Sequence, residues 1–248
     1  MDFKAFEVAI LANASQDPKL VEDVLNGVDF HSTVGSIAYH RPYEELVNHV
    51  DELAVHQRTQ IKRTSFLFIY GGGVKKCALV NNISIHEAQQ IKDSIERAYP
   101  SMVEWRQQVT SEAAGRGKVH TLCGRMRRID PKFAYTTVVN TICQGTAADI
   151  IKFGHVEVEG ILRRCSGRSR QVATIHDEIH FYFDPLDAKY VPTIVDALEK
   201  QRFDPPNRGA NRYVPMKVEL SMGDSWGKMQ ECSVDDVVKK LKRMGKKR

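Results

Sequence analysis

No two of the five cysteines (Cys77, Cys123, Cys143, Cys165 and Cys232) form a Cys-x-x-Cys, and their number is odd. This argues against a disulfide framework and reads as free thiols in a reducing compartment. There is no signal-peptide pattern and no apolar run long enough to cross a bilayer, so no membrane partner is expected and the cytoplasm is the expected location. The P-loop spacing Gly-x4-Gly-Lys-Ser/Thr is absent, which makes Gly71-Gly72-Gly73 a helix stop rather than a phosphate loop. Internal repeats and low-complexity linkers are also missing.

What is present is an ordinary globular composition. Hydrophobic residues make up 42% of the 248 positions and charged residues 27%. A chain of that size buries a sizeable core as one large domain or two small ones. The formal charge of +5 permits a polyanionic partner without requiring one. Much of the excess sits in the last ten residues, which read as a solvated tail.

One stretch stands out. Arg58, Lys62, Phe66 and Tyr70 recur at every fourth position before Gly71. At about 3.6 residues per turn, fourth neighbours stack along one face of a helix. Two cations followed by two rings suit a polyphosphate and a base or sugar. By spacing alone, a solvated amphipathic helix is the favoured description.

Around that stretch the pattern alternates between helical and β-rich segments. Helices are expected from Ala5 to Ala12, from Pro18 to Gly27, from about Asp29 to Tyr39 and from Tyr43 to Leu53. Ser84-Ile-His-Glu87 is a capping box opening a long helix that Pro100 interrupts, with Trp105 on its continuation. A hairpin around Gly124 and a long helix from about Tyr135 to Arg164 follow, then a basic turn from Arg163 to Arg170. Gln171–Ile175 and Ile179–Phe183 are β-rich, Leu186–Lys200 is helical, 203–212 is a Pro/Asn/Gly loop, and Val214–Met222 alternates like a strand. The implied fold class is α+β, a helical middle flanked by segments that build a small antiparallel sheet.

His176-Asp177-Glu178-Ile179-His180 lies between two of those strands. The zinc-protease motif needs Glu directly after the first His, on a helix; here Asp177 follows and the flanks are strand-like, which excludes it. An Asp-Glu pair at a hairpin tip suits Mg²⁺ or Mn²⁺, which take one or two protein carboxylates and complete their shell with phosphate and water. Asp2, at the edge of the first apolar helix, is the candidate distant partner; a simple helix-capping role and an ordinary acidic turn are the alternatives.

Taken in order, these segments resemble the family A DNA polymerases, the group of bacterial DNA polymerase I and many phage replicases. The resemblance rests on Asp2 with Glu7 five residues on, Asp29-Phe-His31, the Arg58/Lys62/Phe66/Tyr70-Gly71 helix, and Tyr99-Pro100 with Trp105. It continues through Gly124-Arg125 with Arg127, Asn140-x3-Gln144-Gly145, His176-Asp177-Glu178, and Gly223 with Trp226. It covers nearly the whole chain.

The resemblance implies a right-hand polymerase palm, with a helical fingers subdomain, and template-directed transfer of a nucleotide from dNTP to a primer 3′-hydroxyl. By it, Asp2 and Asp177 hold two Mg²⁺ ions, with Mn²⁺ an alternative, and Glu178 is a supporting acid. His31, Arg58 and Lys62 clamp the triphosphate, and Lys62 is the proton donor to the leaving group. Phe66 packs on the nucleotide, Glu7 crowds the ribose 2′ position, and Tyr70 with Gly71 flanks the template base. Asn140, Gln144 and His176 read the primer-template minor groove. Glu7, Phe66 and Glu178 favour DNA over the rival single-subunit RNA polymerase reading; an inactive DNA-binding remnant is the other class.

The resemblance divides the chain into palm (1–12), fingers (13–133), palm (134–230) and a basic tail (231–248). Ala9 and Thr136 stand where the family has Arg, so primer-template contacts are expected to be weaker there. The family's thumb, exonuclease and upstream palm segments have no counterpart in these residues. The expectation is therefore a split polymerase completed by a separate polypeptide, with a gene fragment or an engineered deletion as the other explanation, in a bacterial or phage-infected cytoplasm.

Overall fold

A computed structural model describes residues 1–166, 168–201, 203 and 213–246. In chain order the elements are β1 (Asp2–Lys4), α1 (Phe6–Ser15), α2 (Pro18–Leu25), α3 (Phe30–Tyr39), α4 (Tyr43–Val47) and α5 (Glu52–Ile69). Then come α6 (Val74–Asn81), α7 (Ile85–Ala98), α8 (Pro100–Arg116), β2 (Lys118–His120), β3 (Met126–Arg128) and α9 (Ala134–Leu162). The last are β4 (Arg170–Ile175), β5 (Glu178–Tyr182), α10 (Val191–Glu199), β6 (Lys217–Met222), β7 (Gln230–Cys232) and α11 (Val234–Gly245). The fold is α+β, as the sequence implies. Most of the 203–212 loop lies outside the described residues.

The chain forms two compact units. The first comprises Met1–Glu7, Ala147–Phe203 and Pro215–Arg248; the second comprises Val8–Thr146 and Asp204–Val214.

The first unit is built on an antiparallel sheet of order β4-β5-β1-β6-β7. Its middle strand is only three residues long. Phe3 is 3% exposed while Asp2 and Lys4 point to the opposite face, the period-two alternation of a strand buried on one side. Asp2 stands opposite Glu178 on one side and Glu219 on the other. Three residues carry no readable periodicity, and Asp and Lys disfavour strands. Pairing on both edges, which no local pattern encodes, makes β1 a strand.

The C-terminal residues differ from the solvated tail expected of them. Val237 and Leu241 are buried in a cluster with Ala188, Val191, Val195 and Leu220. Val234, Val237, Val238 and Leu241 recur at helical spacing, and Ser233 caps the helix by accepting from Asp236 N. The apolar stripe docks α11, while its cations stay on the outer side.

The second unit is helical apart from the β2–β3 hairpin, which turns at Gly124 with φ of +88°. The expected helix from Tyr43 to Leu53 is broken. His49 takes a left-handed φ of +53°, and Asp51 starts α5 by accepting from Ala54 N at 2.7 Å. The helix carrying Arg58 therefore begins six residues before it. At Ser84 only half of the capping box forms. Ser84 accepts from Glu87 N, while the Glu87 carboxylate accepts from the Tyr39 hydroxyl at 2.9 Å.

Candidate active site

In the first unit the acids predicted from the sequence meet at the sheet. Residues directly opposite in an antiparallel pair project to the same face, so Asp2 and Glu178 share one. Asp177 immediately precedes Glu178 in the tight β4–β5 turn, where His176 adopts φ of +56°. Burial, then the negative charges of Asp177 and Glu178, raise the Asp2 carboxyl above the ordinary carboxylate range. The Lys4 ammonium, on the same face, is taken up by Glu219 at 2.8 Å. Glu178 also lies 3.2 Å from the His180 Nε2, although not in hydrogen-bonding geometry, and the His180 ring rests against Trp226.

The donor set fits a hard divalent cation. Asp2, Asp177 and Glu178 offer carboxylate oxygens, and the mutual repulsion felt by Asp2 is what a bound cation relieves. Among the described residues no three or more His, Cys, Asp or Glu side chains form a group that could hold a metal ion, so a cation at Asp2 and Asp177 would need phosphate and water to complete its shell.

In the second unit, α5 buries Ile61, Thr64, Ser65, Phe68 and Ile69, leaving Arg58, Lys62, Phe66 and Tyr70 on a different face. Phe66 and Tyr70 stack with centroids 5.9 Å apart, and His31 meets Phe66 edge-on at 5.4 Å. His31 comes from the first turn of α3 and is 7% exposed, with Nδ1 buried and lacking a hydrogen-bond partner. Burial, helped by the positive charges of Arg58 and Lys62 and opposed by Asp29, lowers its pKa to about 4. At neutral pH the ring is therefore an uncharged N–H donor. Lys62 is exposed on the same helix face.

Two residues join this group without having been predicted as site residues. Asp29 caps α3 by accepting from Ser32 N at 2.7 Å and also accepts a two-pronged pair from Arg58, Nη2 at 2.9 Å and Nε at 3.1 Å. Burial pushes the Asp29 carboxyl up, but the bonds from Arg58 and Ser32 outweigh it and hold it below its usual value. Arg106 on α8 is 7% exposed and donates Nη1 to the Phe68 carbonyl at 2.7 Å, with its guanidinium 5.7 Å from the centre of the Tyr135 ring. It thus anchors the C-terminal end of α5, where backbone carbonyls otherwise lack partners. The Asp29-x-His31 spacing was the one available sequence signal for Asp29. Arg106 had none.

Tyr70 closes α5, and Gly71 leaves it with φ of +88°. A Cβ at Gly71 would lie 2.8 Å from Tyr135 Cδ1 and 2.9 Å from its carbonyl carbon, with the carbonyl oxygen nearer still. Only glycine satisfies both the turn and this approach.

Further along the second unit, Asn140 donates to Gln144 Oε1 at 2.9 Å, one turn apart on α9. The β2–β3 hairpin is tied to this helix by Arg127 to Thr141 Oγ1, Arg125 to the Gly145 carbonyl and Leu122 N to Thr146 Oγ1. Glu7, in the first turn of α1, is half-buried, and His176 belongs to the first unit.

The model of DNA polymerase family A matches residues 1–228. The chain belongs to this family. It is 29% identical to DNA polymerase theta of Drosophila melanogaster over 249 aligned residues, covering 94% of this chain and 11% of that protein. DNA polymerase I of Geobacillus stearothermophilus is 25% identical, with 91% of this chain and 25% of the relative aligned. The Bacillus subtilis (strain 168) DNA polymerase I is 27% identical with the same coverage. The chain thus spans from about a tenth to a quarter of the length of these relatives. Among solved structures, the POL domain of Pol1 from M. smegmatis, in complex with DNA primer-template and dNTP, superposes with a TM-score of 0.68 at 25% identity. That alignment covers 81% of this chain and 35% of the other. No helix among the described residues is long and apolar enough to cross a membrane.

Proposed function

We propose that this chain carries out template-directed DNA synthesis, transferring a nucleotide from dNTP to a primer 3′-hydroxyl with release of pyrophosphate. The observation that carries the reading is the placement of Asp2 opposite Glu178, beside Asp177, in a chain whose family match runs from its first residue to 228. On this reading residues 1–12 and 134–230 are the palm and 13–133 the fingers, divisions that differ from the two compact units, which change over after Glu7 and after Thr146.

Asp2 and Asp177 are the ligands for two Mg²⁺ ions, with Mn²⁺ as a substitute, and Glu178 supports them by adding negative charge. Such ions, when bound, supply Lewis-acid stabilisation of phosphoryl oxygens and lower the pKa of a bound hydroxyl. Arg58 and Lys62 grip the triphosphate, with Asp29 holding the Arg58 guanidinium in a fixed plane. Lys62 delivers a proton to the pyrophosphate oxygen as it leaves. His31 donates a neutral N–H to a phosphate oxygen, so it contributes a hydrogen bond rather than a charge. Phe66 packs on the sugar and base, Glu7 blocks the ribose 2′-hydroxyl, and Tyr70 at the glycine turn flanks the template base. Asn140, Gln144 and His176 contact minor-groove acceptors, which differ little among base pairs and so accept every correct pair.

We further propose that a separate polypeptide, carrying the thumb and exonuclease regions that the family resemblance implies, takes part in synthesis. Co-purification with that polypeptide and a gain in primer extension are the expected results, and neither appearing removes that assignment.

The test of the reaction itself is incorporation on four templates differing in one base. The expected result is addition of the complementary dNTP alone, with the matching rNTP rejected. Addition without regard to template, or none even with the missing parts supplied, overturns the proposal.

A further inference from the structure

Residues 229–248 lie beyond the family match, yet 230–246 are folded onto the first unit as β7 and α11. At about 100° per residue, Lys239, Lys242, Arg243 and Lys246 fall within one arc of about 100°. The buried Val237 and Leu241 fall on the opposite side of the helix. All four cations are exposed. They are held in a fixed array by a docked helix rather than carried on a loose tail.

The dock is the 3-10 segment Pro185–Tyr190, where Gly245 lies against Pro185. The same segment anchors the basic turn that follows α9. Asp187 accepts from Ser166 N at 2.8 Å, from Ser166 Oγ at 3.0 Å and from Ser169 Oγ, while the Tyr190 hydroxyl donates to the Arg164 carbonyl at 3.0 Å. That turn exposes Arg163, Arg164, Arg168 and Arg170. Lys189, on the dock itself, is also exposed and lies over the Tyr190 ring. Two basic segments from distant parts of the sequence are thereby fastened to one six-residue support.

The acids nearby offset only part of the array, at Arg163 and Arg168. Asp187 is buried and occupied by the serines, and Asp184 is buried with Arg168 4.0 Å away. Glu159 is paired with Arg163, while Asp235 and Asp236 sit at the far, N-terminal end of α11. Leu186 is the large apolar side chain exposed on the dock, too little to enter a bilayer. Guanidinium forks and ammonium groups carried on one support suit phosphodiester oxygens.

We propose that this face of the first unit is a second nucleic-acid-binding surface, gripping the backbone of duplex DNA without reading sequence and separate from the residues assigned to nucleotide transfer. It does not depend on the chain being an active polymerase.

The test uses the full chain and a labelled, blunt-ended duplex of about 20 base pairs, so that no primer terminus or dNTP is engaged. Two charge-removed variants are compared with wild type, K239Q/K242Q/R243Q/K246Q and R163Q/R164Q/R168Q. Each phosphate contact contributes about 0.9 to the slope of log affinity against log salt. Each variant is therefore expected to bind at least about tenfold more weakly at about 0.05 M salt, with a slope shallower by about 2 or more. Lysine-to-arginine replacement at 239, 242 and 246 should retain wild-type affinity. Incorporation at saturating primer-template should be unchanged in all of them.

Wild-type affinity and slope in both charge-removed variants overturn the proposal. So does charge-dependent binding to anionic phospholipid vesicles but not to the duplex. Duplex binding that is charge-dependent in a chain that synthesises no DNA removes the polymerase reading and leaves this surface standing.

Discussion

Replacing Gly71 by alanine joins two effects that the structure separates. The residue sits at φ of +88°, where an L side chain costs about 1–2 kcal/mol. Its new Cβ would also meet the Tyr135 side chain and backbone at under 3 Å, and forcing that contact apart costs about 1–3 kcal/mol more. The sum is a loss of about 2–5 kcal/mol. Gly117 supplies the control, because it has φ of +64° but no atom within 4 Å of where a Cβ would stand. Gly117→Ala should therefore cost only the backbone part, about 1–2 kcal/mol. Urea denaturation of the three proteins gives both numbers, and their difference isolates the clash with Tyr135. Because Tyr70 is the residue before the turn, Gly71→Ala should also slow incorporation, whereas Gly117→Ala should not. Equal destabilisation by the two substitutions would refute the close approach as the reason for glycine.

The His31 pKa of about 4 lies below the ordinary histidine value, so the unfolded chain binds more protons than the folded one between about pH 4 and 6.5. Stability should be fully present above about pH 6.5 and fall on acidification by about 2–4 kcal/mol toward pH 4. His31→Gln should flatten that part of the profile, and an unchanged slope would contradict burial of the neutral ring. Asp29→Ala and Arg58→Ala should be non-additive in a denaturation cycle, with a coupling of about 0.5–3 kcal/mol; additivity within about 0.3 kcal/mol would show that the fork contributes nothing. Lys62→Ala should lower the single-turnover incorporation rate by about 10²–10⁴ with a smaller effect on dNTP affinity. A pure loss of affinity would deny Lys62 the proton-transfer role.

Motifs and long periodic segments were legible in the sequence where their information is local. The face of α5 repeats every fourth residue, the hairpin turns at a glycine, and α9 is one uninterrupted helical pattern of 29 residues. The unread parts depend on distant partners. β1 becomes a strand because Phe3 faces Val218 and Asp2 faces Glu178, both far along the chain. Asp29 and Arg106 find Arg58 and Phe68 at separations of 29 and 38 residues, with no periodic signal linking them. At the C-terminus the obvious charges of α11 concealed four apolar residues at helical spacing, which suffice to dock it. Net charge describes the outer face of a helix; the inner face decides whether it packs.

The most direct measurement of the central claim is the single-turnover addition of one complementary nucleotide to a labelled primer, comparing wild type with Asp177→Asn in Mg²⁺. Both proteins are assayed alone and with the remaining polymerase parts added. The carboxylates of the β4–β5 turn and of β1 are assigned to the cations, so wild type should extend the primer and Asp177→Asn should retain the fold, monitored by circular dichroism, but lose extension by several orders of magnitude. Equal incorporation by the two proteins would contradict the assignment, and none by either, with every part supplied, would reduce the chain to a binding module of the polymerase fold.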